Sequence, residues 1–99
     1  MNLTQVFQAK ALEQAQTAML AHGCPTKRLI QDLQSRGGVE TAKELARRHR
    51  LSDGFEDLRQ KGHLELTLEA LVIQGKFGAL FTDEEANWCL QVLMEANYF

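Results

Sequence analysis

The chain has one proline, one tryptophan, one tyrosine and two cysteines among its 99 residues, and each shortage removes a class of protein. A lone Pro25 and only seven glycines do not make a long disordered or collagen-like segment. Cys24 and Cys89 lie far apart and read as reduced packing residues, not as a disulfide framework. No stretch approaches the ~20 apolar residues of a membrane span. Met1 to Lys10 has neither the basic start nor the unbroken apolar run of a secretory signal. The expectation is a cytoplasmic protein with no membrane partner. Its length suits one domain over residues 1–99, and apolar residues, at 44%, are enough for one modest core.

Charge is nearly balanced overall, at −2, but unevenly placed. Residues 27–61 carry nine Lys or Arg against six acids, whereas residues 62–99 carry Lys76 against six carboxylates. Such polarity can orient a protein on a charged partner.

Hydrophobic periodicity predicts an all-α bundle of about five to six helices, over residues 3–22, 25–35, 39–50, 54–61, 68–74 and 83–97. Leu3, Val6, Phe7, Ala11, Ala15 and Ala18 recur at helical steps, and Gly23 stops that helix. Pro25 suits the first position of the next helix, where its missing N–H is not needed. Leu29, Ile30 and Leu33 give that helix its stripe, and Gly37 and Gly38 end it. The third helix has Glu40 near its start and Arg47, Arg48 and Arg50 near its end, an order that suits the helix dipole. Ser52 or Asp53 is the candidate cap of a short fourth helix with Phe55 and Leu58 inward, closed by Gly62. In residues 64–73, Leu64, Leu66 and Leu68 alternate as in a strand, while Leu68, Leu71 and Val72 keep helical spacing. With no second strand to pair with, a short helix capped by Thr67 is the better reading. Thr82 and Glu85 form a capping box for the last helix. Its expected inward stripe is Ala86, Cys89, Leu90, Leu93 and Met94, with Trp88 and Val92 on a flanking face.

None of the usual chemistries finds its residues. His22, Cys24, His49 and His63 lack the spacing of a zinc site, so no metal or cofactor is expected. Neither cysteine has the local context of a nucleophile. Asp83, Glu84 and Glu85 sit where helix capping alone puts acids. Gly37-Gly38 follows a helix rather than a strand, and no lysine stands in the phosphate-loop position. The chain is therefore read as a non-enzyme. A DNA-binding helix-turn-helix can be drawn over residues 41–61, but Asp53, Glu56 and Asp57 lie on the outward face of its second helix.

The segment GFEDLRQKGHLELTLEALVIQGKFGALFTDEEANWCLQVL from Gly54, preceded by GGVETAKELARR, resembles a group of small bacterial, phage or mobile-element helical proteins. That group shares GF-x-x-L-x-x-x-G-x-L-x-L-T-x-E-A-L followed by L-F-T-x-E-E. The resemblance supplies no catalytic residues. It implies an accessory protein or inhibitor that binds a host protein, for example in anti-defence such as anti-CRISPR action. The reading that follows is a protein-interaction module binding a host protein or a second copy as a homodimer, with Trp88, Val92, Tyr98 and Phe99 as the candidate interface. Arg47, Arg48 and Arg50 are the candidate contacts to nucleic acid or an acidic partner.

Overall fold

Each helix of this chain begins or ends on a residue whose side chain or backbone satisfies the helix end. The structure, a computed structural model, describes residues 2–99. Six α-helices follow one another: α1 (Leu3–His22), α2 (Lys27–Arg36), α3 (Gly38–Arg47), α4 (Phe55–Lys61), α5 (Leu68–Val72) and α6 (Asp83–Glu95). Single 3-10 segments cover Leu64–Leu66 and Gly75–Leu80, and no strand occurs among the described residues. The all-α expectation holds.

α1 starts on a capping box invisible to the periodicity argument. The Asn2 side chain accepts from the Gln5 N–H at 2.9 Å, and the Gln5 side chain accepts from the Asn2 N–H at 3.1 Å. Its buried face is built of Phe7, Ala11, Ala15 and Ala18. These small side chains let α2, α3 and α5 pack closely around α1. Phe7 closes one end of the core, edge-on to Phe77 (centroids 5.1 Å apart) and to Phe81 (5.2 Å). The main core gathers Phe7, Leu33, Leu71 and Phe77, and a second cluster holds Phe55, Leu64, Ala70, Val92 and Leu93. Trp88 and Ile73 pack against both, so the two clusters form one continuous interior.

Several boundaries differ from the sequence expectation. α2 begins at Lys27, because Pro25 and Thr26 form the turn before it and the buried Thr26 hydroxyl donates to the Ala15 carbonyl at 2.7 Å. α3 stops at Arg47. His49 then takes a left-handed conformation (φ 52°), its N–H donating to Ala46 and the Arg50 N–H to Leu45, a Schellman ending that frees Arg48 to Arg50 from the helix. Neither Ser52 nor Asp53 caps α4. α6 ends at Glu95 rather than residue 97, because Asn97 is left-handed (φ 64°) and the Tyr98 N–H returns to the Leu93 carbonyl.

The ambiguous stretch is resolved as a 3-10 turn followed by a helix. Thr67 caps α5 by accepting from the Ala70 N–H at 3.1 Å. The apparent alternation of Leu64, Leu66 and Leu68 arises because a turn with three residues per repeat joins a helix at the cap. No helix among the described residues is long and apolar enough to cross a membrane.

Candidate interaction surface

The capping box of α6 fixes the Glu85 side chain at the start of that helix. The Thr82 hydroxyl accepts from the Glu85 N–H, and the Glu85 carboxylate accepts from the Thr82 N–H at 2.9 Å. The same carboxylate accepts from Lys43 Nζ of α3 at 2.8 Å. Burial pushes the Glu85 carboxyl up, but the hydrogen bonds and charge from Lys43 and Thr82 outweigh it and leave it below the ordinary carboxylate range. With Glu85 turned towards α3, the buried positions are Glu85, Cys89, Val92 and Leu93.

This rotation corrects the expected stripe. Leu90 and Met94, predicted inward, are 38% and 57% exposed. Val92, predicted at the interface, is 9% exposed and packs beside Phe55 and Leu93, so it contributes to the core and not to a free surface. A charged residue, Glu85, lies on the inward face, and a stripe drawn from the apolar residues alone leaves it out. Trp88 is half-buried, with its indole stacked against His49 at 4.5 Å and 6° between planes. Tyr98 and Phe99 are exposed, as expected, and their rings meet at 5.1 Å. The surface that results has Leu90 and Met94 one turn apart on α6, then Tyr98 and Phe99 beyond its end. Asp83, Glu84 and Glu95 are exposed on the same helix, and residues 77–99 include no Lys or Arg.

The three sequence-predicted arginines separate. Arg47 and Arg48 both reach Glu44, at 3.4 and 2.6 Å. Arg48 and Arg50 line a groove between α2 and α3 with Arg28 and Arg36, while Arg47 does not. α3 and α4 are separated by Arg48 to Gly54, longer than the turn of about three or four residues that joins the helices of a helix-turn-helix. α4 is only Phe55–Lys61 and packs on the Leu64–Leu66 turn.

Two features carried no sequence signal. Glu69 of α5 is 3% exposed and accepts from both the Ser52 N–H (2.8 Å) and the Ser52 hydroxyl (2.6 Å). Burial raises its pKa, and the Ser52 hydrogen bonds only partly oppose this. This tie holds the loop after α3 against α5. The second is the His49–Trp88 stack, which the left-handed ending of α3 produces.

Among the described residues, no three His, Cys, Asp or Glu side chains come together around a metal-sized space. His22 and His63 stack on each other at 4.0 Å instead. Cys24 and Cys89 are both buried and free. Burial, followed by the nearby charges of Glu69 and Glu85, pushes the Cys89 thiol up to about 12. Alkylation by iodoacetamide at pH 8 is therefore expected to label neither cysteine in the native protein and both in denaturant. Native labelling of Cys89 would contradict the burial described. Comparison with family models, with curated proteins and with solved structures finds no match.

Proposed function

We propose that the protein is a non-enzymatic interaction module that docks a protein partner through Leu90, Met94, Tyr98 and Phe99. The observation that carries this reading is the exposure of these large apolar side chains along one helix and its end, with Phe99 at 69%. Scattered apolar residues on a surface need no explanation, but a run bordered by polar residues is the usual form of an interface.

The charges choose between a homodimer and a different partner. Pairing α6 antiparallel with a second copy sets Asp83 and Glu84 of one chain against Glu95 of the other, with no base from residues 77–99 to offset them. Like charges across an interface disfavour that pairing. A different protein, with apolar anchors ringed by Lys or Arg, meets no such repulsion. The resemblance of the sequence to bacterial, phage and mobile-element proteins supports a host protein as the target, and inhibition of a bacterial defence system as the consequence.

The test is capture of a partner from a bacterial lysate by the immobilised chain, run beside the double variant Leu90→Asp/Met94→Asp. Both positions are exposed, so the variant should keep the wild-type Tm while losing the partner.

A further inference from the structure

We propose that the groove between α2 and the end of α3 is a second docking site, one that takes an acidic peptide segment of a partner protein. The proposal rests on the reading of the chain as a protein-interaction module. Arg28, Arg36, Arg48 and Arg50 converge on this groove of about 220 Å³, together with Asp32, Asp53 and Glu44. The sequence separates Arg28 from Arg50 by much of two helices, and folding brings them together.

Only Arg48 of the four is engaged, with Glu44 at 2.6 Å; Arg28, Arg36 and Arg50 make no ion pair among the described residues. Arg36 is the last residue of α2, and Arg48 and Arg50 follow the end of α3, places where the dipole favours a cation. Arg28 has no such reason. It lies in the first turn of α2, which carries no acid, next to Lys27 and against the dipole. Arg28 lines the groove with its charge unpaired among the described residues, and Asp32 lies one turn further along the same helix.

The carboxylates in the groove select the kind of anion. A nucleic-acid backbone presents a negative charge at every phosphate and meets Asp32 and Asp53 with repulsion. A peptide places its carboxylates at intervals. Each can pair in two-pronged fashion with a guanidinium, and its backbone N–H groups can donate to Asp32 and Asp53.

Fluorescence anisotropy tests this with a labelled peptide that carries glutamate at every second position, (Glu-Gly)4, and a labelled 12-base-pair DNA duplex as probes, at low and at physiological salt. The wild-type protein should bind the peptide saturably and in preference to the duplex. Arg28→Ala/Arg36→Ala/Arg50→Ala should weaken peptide binding at least tenfold. Asp32→Asn/Asp53→Asn should raise duplex binding several-fold, a change that a merely structural role for these acids would not give. Leu90→Asp/Met94→Asp should leave peptide binding unchanged, which separates failure of this site from failure of the α6 surface. Tighter duplex binding with a steep salt dependence, no binding of the peptide, or undiminished peptide binding by the triple variant with its fold verified by circular dichroism would each overturn the proposal.

Discussion

Glu69→Ala is expected to lower stability by about 3 kcal/mol, from a buried N–H and a buried hydroxyl of Ser52 left without their acceptor and a cavity in place of the side chain. For a domain of this length that corresponds to a fall in Tm of more than ~10 °C. Glu69→Gln has the opposite character. The amide keeps the shape, its oxygen accepts from the Ser52 N–H, and its NH2 donates to the Ser52 hydroxyl oxygen. The two substitutions therefore separate the hydrogen bonds from the charge.

The pH dependence follows from the raised pKa. A carboxyl with a native pKa above the ordinary carboxylate range binds its proton more tightly folded than unfolded. Its contribution is fully present below the unfolded value and is lost as pH rises through the native value. Relative to Glu69→Gln, wild-type stability should thus decline on going from acid towards neutral pH, while the opposite contribution of Glu85 is common to both proteins. At pH 8 the glutamine variant should be the more stable of the two. Urea denaturation at pH 4, 6 and 8 measures this, and identical pH profiles for wild type and Glu69→Gln would contradict it.

Gly54→Ala is expected to cost a similar amount, about 3 kcal/mol, for two separate reasons. Gly54 has φ 85°, a left-handed conformation that costs an L-residue about 1–2 kcal/mol. A Cβ there would lie 2.7 Å from Cγ2 of Thr26. Thr26 cannot yield, because it is 1% exposed and its hydroxyl is bound to the Ala15 carbonyl, and overpacking of a fixed neighbour adds about 1–3 kcal/mol. Gly62→Ala is the control. Its φ is 77°, but nothing lies within 4 Å of the added carbon, so only the conformational cost of about 1–2 kcal/mol applies. Equal losses at the two positions in chemical denaturation would show that the contact with Thr26 costs nothing.

Both predictions concern contacts that periodicity does not reveal, and they mark where the sequence stops being legible. Local signals were readable wherever a side chain acts on its own helix. Thr67, the Thr82–Glu85 box, Gly23 and Gly62 all lie at helix ends as their residue types suggest. Signals set by distant partners were not. Ser52 has the composition of a cap, but it is engaged by Glu69, 17 residues away. Glu85 pairs with the distant Lys43 on the inward side of α6, and on that rotation Leu90 and Met94 lie outward and Val92 inward. A carboxylate on an inward face defeats a reading based on apolar residues alone. His49 adopts the conformation usual for glycine at a helix end, and that conformation places its ring on Trp88.

The same distinction applies to the arginines. In the sequence, Arg47, Arg48 and Arg50 form one cluster with one explanation, the dipole of the helix they follow. In three dimensions Arg47 and Arg48 both pair with Glu44, and of the three only Arg48 and Arg50 join Arg28 and Arg36 in the groove between α2 and α3. The grouping that bears on binding is therefore set by the packing of α2 on α3, which no local pattern records.

Whether the exposed side of α6 is a docking surface is decided by capture from a bacterial lysate with wild type beside Leu90→Asp/Met94→Asp. The prediction is a partner retained by the wild-type chain and lost by the double variant, with the Tm of the two within about 3 °C of each other. A partner held equally by both proteins, or no partner for either, would contradict it.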